Sequence, residues 1–194
     1  MAERLQQETI PLRKISDFKS KLTGGGARPN LFEVVLAFPS TVAPVNENEV
    51  LQKSRFLVKA AALPASTIAP VEIPFRGRIL KVAGDRTFDT WTVTIINDED
   101  FKIRHAMEMW MNGISKLSNN TGASNPNSYM TDAYVQQLGR GKEKFSTENS
   151  PGLQTAVLRT YKFYDIFPTE ISTIALDYGS RDTIEEFTVT FQVQ

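Results

Sequence analysis

Alternation of apolar and polar side chains predicts a chain built mainly from β-strands. The clearest strand covers 88–96, where three apolar residues alternate with threonines, and a second covers 184–193. A period of two is typical of a strand with one face on a hydrophobic core. The inward positions are Trp91, Val93, Ile95, Phe187, Val189, Phe191 and Val193. Further strands are predicted over 31–38, 55–60, 73–82, 129–138 and 155–167.

Two segments have helical rather than strand periodicity. Over about 98–117, apolar residues recur every three or four positions and form one stripe, which predicts a long amphipathic helix. Three acidic residues over 98–100 complement the positive end of its dipole. A shorter helix is predicted over 12–22, followed by a run of glycines over 24–26. The stripe of the long helix consists of Ile103, Met107, Trp110, Ile114 and Leu117.

These elements predict a mainly β protein that borders on the α+β class. We expect an antiparallel β-sandwich or partly closed barrel with one long flanking α-helix. Residues 1–26 are predicted to form an N-terminal arm with a short helix and a glycine linker. Residues 27–194 are predicted to form a single domain, with loop insertions near 39–54 and 118–152. The strand over 155–167 is apolar on both faces, which favours burial by a core and by a neighbouring subunit.

Composition removes several classes of protein. The chain has 22 Lys and Arg, 22 Asp and Glu, and no Cys. Zero net charge argues against a non-specific nucleic-acid binder, and the lack of Cys excludes disulfides and thiolate metal sites. No apolar run approaches the roughly 20 residues that cross a bilayer, and the N-terminus lacks a signal-peptide core. We expect a soluble protein of a cytosol-like compartment.

Candidate catalytic chemistry is sparse. The single histidine, His105, falls on the charged face of the long helix, among Arg104 and Glu108. Glu185 and Glu186 are adjacent on a strand and therefore point to opposite faces. We assign no catalytic, cofactor-binding or metal-binding residues. The pattern favours a structural or binding protein, and the rival from another class is a hydrolase or carbohydrate-binding β-sandwich.

Several segments together resemble one known family. They cover 27–34, 60–65, 82–94 and 97–99, and, near the end of the chain, 167–169, 176–177 and 187–190. The most specific segment reads Ala-Gly-Asp-Arg-Thr-Phe-Asp over 83–89 and continues as Thr-Trp-Thr-Val-Thr over 90–94. In this order the segments resemble the tail tube proteins of contractile-tailed (myovirus-type) bacteriophages. The resemblance covers roughly 27–117 and 155–194.

The resemblance implies a structural virion protein without enzymatic activity or cofactor. Such proteins form hexameric rings that stack into the rigid inner tube of a contractile tail, where strands of neighbouring subunits join into an intersubunit β-barrel. The implied partners are other copies, the tail sheath protein, a baseplate or tube initiator, the tape measure protein and the tail terminator. DNA passes through only as cargo, no stable membrane insertion is expected, and assembly takes place in the host cytoplasm. The alternatives are a baseplate or tube-initiator ring protein, or the tube subunit of a tailocin or type VI secretion-like device.

Two sets of residues are candidates for the assembly surfaces. Lys or Arg repeated around a lumen would bind phosphate and retard DNA, so we expect a neutral or acidic lumen. The lumen-facing candidates are Thr90, Thr92, Thr94, Glu186, Thr188, Thr190 and Gln192. Arginine is suited to bidentate pairing across interfaces. The candidates for ring or stacking contacts are Arg28, Arg76, Arg78, Asp85 and Arg86.

Overall fold

A curled antiparallel sheet and a separate β-hairpin make up most of the protein, in a computed structural model that describes residues 14–22, 25–41, 47–143 and 154–194. The helices are α1 (Ile15–Lys21), α2 (Glu47–Leu57) and α3 (Lys102–Ile114). The strands are β1 (Phe32–Leu36), β2 (Val58–Ala61), β3 (Ser66–Phe75), β4 (Arg78–Phe88), β5 (Trp91–Ile96), β6 (Thr131–Glu143), β7 (Gln154–Ile171) and β8 (Glu186–Gln192). A 3₁₀ turn covers Pro126–Ser128. The predicted mainly β fold is confirmed.

The main sheet curls into a half-barrel. Its six strands run in the order β1-β6-β7-β8-β5-β2, while β3 and β4 form the hairpin. The first part of β7 pairs with β6, and its last part pairs with β8. Asp165, which has a positive φ of 48°, lies where β7 passes from one partner to the other. The edge strands β1 and β2 approach each other, as expected for a partly closed barrel.

An aromatic cluster fills the centre of the core. Trp91 stacks on Phe163 with ring centroids 4.6 Å apart, and Phe191 lies 5.4 Å from Trp91. Trp110 of α3 lies 6.0 Å from Phe191, which places the helix over the sheet. The Trp110 indole N–H donates to the Tyr129 carbonyl at 2.7 Å. Burying aromatic surface in this way stabilises the fold, because each ring removes a large apolar area from water.

The strand predictions for β5 and β8 are confirmed side chain by side chain. All seven predicted inward residues of these two segments are buried. In α3, Ile103, Met107 and Trp110 are also buried, as predicted. Leu117, however, is 94% exposed, because the helix ends at Ile114 and Ser115 adopts an extended conformation. The helix also begins later than predicted, since Phe101 before it has a left-handed φ of 53°.

The predicted loop over 39–54 and strand over 55–60 are wrong where α2 forms. Val50 and Ser54 are buried and Leu57 packs against the core, so the buried positions follow a helical period. Phe56, which a strand would have buried, is 82% exposed. Phe56 and Leu57 at the C-terminal end of α2 are followed directly by Val58 of β2. In the sequence, this segment resembles the alternation of a strand.

The predicted strand over 73–82 is wrong because the chain reverses within it. Arg76 and Gly77 have φ angles of 45° and 81°, and they separate β3 from β4. Positive φ at both central residues is the type I′ geometry of a two-residue hairpin. Arginine at the first of these positions lacks the usual Asn or Asp signal, so the turn escaped sequence analysis.

The predicted loop insertion near 118–152 is only partly a loop. Strand β6 covers Thr131–Glu143 and thus extends into the predicted insertion, beyond the strand predicted over 129–138. Residues 144–153 lie outside the described part of the chain. The predicted N-terminal helix is present as α1, with Ile15 and Phe18 exposed. Residues 1–13 and 23–24, which belong to the predicted arm, also lie outside the described part.

An ion-pair network joins α2 to the segment before α3. The Lys53 ammonium lies 2.5 Å from an Asp98 oxygen and 2.7 Å from an Asp100 oxygen. Lys102 pairs with Glu49 of α2 and lies 3.4 Å from Asp100. Hydrogen bonding to Asp100 and Asp98 raises the pKa of Lys53, and hydrogen bonding to Lys53 lowers the pKa of Asp100. Two of the three acidic residues predicted to complement the helix dipole, Asp98 and Asp100, therefore also link this segment to α2.

Replacing Lys53 should weaken this link in a pH-dependent way. Because the Asp100 pKa is lowered in the fold, its stabilisation is present above the ordinary value of 3.8 and is lost as pH falls. Because the Lys53 pKa is raised, its stabilisation is lost only above 10.5. Denaturant unfolding should show Lys53→Met less stable than wild type at about pH 7, with a difference that shrinks below about pH 4. An equal difference at both pH values would contradict this role.

Candidate functional site: assembly surfaces of the subunit

The lumen-facing candidates from two distant parts of the sequence form one surface. Thr92 lies directly opposite Thr190, and Thr94 lies opposite Thr188. Directly opposed residues of antiparallel strands share a face. Because the alternate residues are in the core, this face points away from it. We call it the threonine face: Thr92, Thr94, Glu186, Thr188, Thr190 and Gln192. Thr90 lies just before β5 and is exposed.

The charge on the threonine face is nearly balanced. The Lys59 ammonium lies 2.6 Å from a Glu186 carboxylate oxygen. Glu170 of β7 lies opposite Thr190 and adds one further carboxylate. The Thr169 hydroxyl donates to the Thr190 carbonyl at 3.1 Å. The surface therefore offers mostly hydroxyls, with one neutralised pair and one excess negative charge.

The β3–β4 hairpin has an apolar face that remains exposed. Cross-strand pairing joins Val71 to Val82 and Ile73 to Leu80, with Phe75 next in line. These five side chains, the apolar face of the hairpin, are between 44% and 65% exposed. An isolated two-stranded hairpin is marginally stable in water and needs packing on one face. The exposed stripe therefore indicates a partner surface.

The opposite face of the hairpin is polar at the neighbouring register. Glu72 pairs with Lys81 across the strands, and their charged groups lie 3.2 Å apart. Both side chains are more than half exposed, so the pair contributes little stability. The next pair on this opposite face, Pro74 and Ile79, is apolar, and Ile79 is 59% exposed, so the polar character is confined to the Glu72–Lys81 pair.

Four of the five ring or stacking candidates lie on this hairpin. Arg76 lies in the turn at the tip and Arg78 directly follows the turn, and the Arg76 guanidinium lies 5.3 Å from the Phe75 ring centroid. Asp85 and Arg86 lie nearer the base, where the strand register shifts. Arg28 lies apart from them, before β1. All five are exposed. Sequence analysis missed the apolar face beside them, although alternation over 71–75 could have revealed it.

The loop between β7 and β8 forms an open hollow, which we call the 173–186 hollow. Leu176, Tyr178 and Ile184 expose 85%, 106% and 71% of their surface. The carboxylates of Asp177, Glu185 and Glu186 lie on the same lining, where Glu186 is paired with Lys59. Arg181 is exposed and belongs to the same loop, but it is not part of the lining. The hollow therefore combines exposed apolar side chains with negative charge.

The first part of β7 has an uncovered face and an uncovered edge. Among the described strands, residues 154–166 pair with β6 alone. Phe163 and Ile166 are buried, whereas Leu158 and Tyr164 are more than half exposed. The register shift near Asp165 therefore places one residue of each predicted apolar face in the core, while Val157, Leu158 and Tyr164 stay between 48% and 57% exposed. On the outer face Lys162 lies 4.2 Å from the Tyr164 ring centroid, and its pKa is raised by its hydrogen bond to Asp132.

Comparison with known proteins identifies the family. Residues 27–194 match the family model described as phage tail tube protein. The chain belongs to the phage tail tube protein family. It is 31% identical to tail tube protein gp19 of Enterobacteria phage T4 over 168 residues, which are 87% of this chain and 89% of that protein. It is thus a structural virion protein of the contractile-tail type, as the resemblance implied.

Two solved structures share the fold of this tail tube protein at low identity. One is the baseplate of the anti-feeding prophage, with a TM-score of 0.55, 12% identity, and coverage of 87% of this chain and 92% of that chain. The other is the sheath–tube complex of the PVC extracellular contractile injection system, with a TM-score of 0.54 and 13% identity. The match covers 90% of this chain and 93% of the chain in the sheath–tube complex.

A metal site is not formed by the described part of this tail tube protein. Within residues 14–22, 25–41, 47–143 and 154–194, no group of three His, Asp or Glu residues is placed to hold a metal ion. His105 is exposed on α3, as predicted. No helix in these ranges is long and apolar enough to cross a membrane.

Gly84 lies at the register shift of the β3–β4 hairpin, where the two strands approach closely. A Cβ on Gly84 would lie 2.5 Å from the Ala69 carbonyl oxygen, a clash with backbone. We expect Gly84→Ala to open the hairpin, which limited proteolysis would detect as faster cleavage within 66–88. The body should lose less than about 0.5 kcal/mol in its free energy of unfolding, as for a surface change. Ala83→Gly is the control, and equal cleavage of both variants would contradict the expectation.

Proposed function

We propose that this tail tube protein closes into hexameric rings that stack into the rigid inner tube of a contractile tail and form a conduit for DNA. The observation that carries the proposal is the apolar face of the β3–β4 hairpin. Five apolar side chains lie in one exposed stripe, uncovered by any described part of the subunit. A second copy would remove this stripe from water, at about 25 cal/mol for each Å² of apolar surface buried.

Ring closure is supported by the strand edges of the subunit. The first part of β7 has a long edge that no described strand covers, and exposed edges invite pairing with another chain. Edge pairing between neighbours would extend the half-barrel sheet into an intersubunit barrel, which leaves no edge exposed. The structure of the similar anti-feeding prophage baseplate was symmetrised six-fold, which fits the proposed ring.

The threonine face is suited to the lumen of such a tube. Its hydroxyls and its balanced Lys59–Glu186 pair offer phosphate few cationic contacts. Retention of DNA depends on the number of phosphates that Lys and Arg neutralise. A surface of this composition lets DNA pass without holding it.

The remaining roles follow from a tube built of this subunit. Residues 27–194 act as the tube-forming domain, and residues 1–26 form an arm beside it. The tail sheath protein surrounds the tube, and a baseplate protein initiates it. The tape measure protein and the terminator set the length of the tube. The role is structural, without catalysis, a cofactor or stable membrane insertion.

A second candidate is a baseplate or tube-initiating ring, or the tube of an injection device without DNA cargo. The fold supports this second candidate, because a baseplate structure and a contractile injection system share the same fold. The two candidates differ in their products, since an initiator forms single rings and a tube subunit forms long polymers.

Electron microscopy of purified protein tests the role of the hairpin. Wild type should form hollow tubes of uniform width. Replacing the cross-strand pair Ile73 and Leu80 on the apolar face with serine should reduce the tube mass at least tenfold, because the buried stripe loses its largest pair. Far-UV circular dichroism should show that the subunit remains folded.

The matched control replaces the adjacent polar pair on the opposite face of the hairpin. Glu72→Ser/Lys81→Ser changes the same two strands at the next register, but removes only an exposed ion pair. Tube mass should stay close to wild type. Equal tube formation by the apolar and polar variants would refute the assembly role of the apolar face, and single rings from wild type would favour the initiator.

Cysteine labelling tests the position of the threonine face. Since the chain has no Cys, Thr190→Cys gives one reactive thiol. A small maleimide should label both subunits and tubes, whereas a long polyethylene-glycol maleimide should label subunits well and intact tubes poorly. Glu108→Cys on the exposed face of α3 is the comparison, and equal labelling of Thr190→Cys tubes by both reagents would place the threonine face outside the lumen.

A further inference from the structure

The β3–β4 hairpin and the 173–186 hollow lie at opposite ends of one strand pair. Trp91 of β5 pairs with Phe191 of β8 at one end, and Ile96 pairs with Glu186 at the other. The hairpin returns to the sheet at the Trp91 end, where the Asp89 N–H donates to the Ala65 carbonyl. The hollow precedes Glu186 and therefore lies at the opposite end.

The hairpin tip and the hollow are chemically complementary. The tip presents one aromatic side chain and two cations, Phe75, Arg76 and Arg78. The hollow presents exposed apolar residues such as Leu176, together with the Asp177 carboxylate. In the described structure neither arginine of the tip forms a salt bridge with an acidic residue of its own subunit. Both surfaces are therefore available to another copy.

We infer that the hairpin tip of one subunit docks into the 173–186 hollow of a subunit in the next ring. This inference rests on the proposed tube and specifies its axial contact. The arginines of the tip lie against Asp177 and Glu185, and Phe75 packs among the exposed apolar side chains of the hollow. The occupant of the hollow is thus a second copy of this chain.

The arrangement explains how stacking continues without limit. Each subunit carries one tip and one hollow at opposite ends, so the contact is heterologous and each added ring presents the same free surface. The ten residues of β3 extend over roughly 33 Å, long enough for the hairpin to project beyond the body and along the next subunit. Docked tips would give the tube a fixed polarity.

Charge reversal at the tip tests the contact. Arg76→Glu/Arg78→Glu places like charges against the hollow, and such juxtaposition is strongly unfavourable. The mass of sedimenting tubes should fall at least tenfold, while folded subunits or rings remain. Lys19→Glu/Lys116→Glu reverses two exposed lysines outside the hairpin and should leave tube mass within about twofold of wild type.

Rescue by the opposite reversal separates a specific contact from a folding defect. Adding Asp177→Arg/Thr183→Arg to the tip variant places two cations on the lining of the hollow, against the acidic tip. Tube formation should return to at least half of the wild-type level. We chose Thr183 because Glu185 accepts a hydrogen bond from Asn97 and serves the fold of its own subunit.

Disulfide trapping provides a readout that does not depend on charge. In this Cys-free chain, Arg76→Cys/Ser180→Cys should form a ladder of covalent multimers when assembled tubes are oxidised. Each single variant should give dimers at most, and Arg76→Cys/Ser128→Cys, with its second thiol in the distant 3₁₀ turn, should give no ladder.

The outcomes distinguish the docking contact from the tube itself. Tubes that form normally from the tip variant, or tubes of the cysteine pair that yield no ladder, would overturn the docking and leave the tube intact. Failure of wild type to polymerise under any condition, including seeding with isolated baseplates, would overturn the proposed tube and the docking with it. Loss of tubes on tip reversal, rescue and a ladder together would establish the contact.

Discussion

The packing of Trp91, Phe191 and Trp110 determines which side chains of β5 and β8 face outward. This cluster presses β5 and β8 against α3, so alternate side chains on the two strands are buried. Because strand side chains alternate strictly, fixing the aromatic residues inward fixes the threonines outward. The same strand pair also sets the two ends at which the β3–β4 hairpin and the 173–186 hollow emerge. The core thus specifies the two proposed assembly surfaces indirectly, through the register of one antiparallel pair.

The β3–β4 hairpin combines an exposed apolar face, which we propose as an assembly surface, with features that limit non-specific association. Its apolar face is exposed, but its other face carries the Glu72–Lys81 pair, and Pro70 and Pro74 interrupt the hydrogen-bonding capacity of β3. Proline and charge on an edge discourage uncontrolled strand addition. What remains attractive is side-chain packing, which requires a partner of matching shape. In the proposed assembly, the hairpin therefore contributes specific side-chain packing rather than non-specific strand addition.

The sequence predicted those parts of the fold that depend on local periodicity. The faces of β5 and β8 and the stripe of α3 were readable because their buried positions repeat every two or every three to four residues. Helix α2 was missed because its short apolar end merges with β2, and the hairpin was missed because an Arg-Gly turn lacks the usual signal. Of the candidate site, the threonines and arginines were identified individually. Only the strand pairing could show that the threonines share one surface and that four of the five stacking candidates share one hairpin.

The apolar face of the hairpin and the threonine face are the two proposed assembly surfaces, one between subunits and one toward a lumen. A cryo-electron microscopy reconstruction of the wild-type polymer tests both at once. We expect stacked hexameric rings in which a neighbouring copy covers Ile73 and Leu80, and in which Thr188 and Thr190 line the channel. A tube with these isoleucine and leucine side chains still in solvent, or with the threonines on its outer wall, would contradict this expectation.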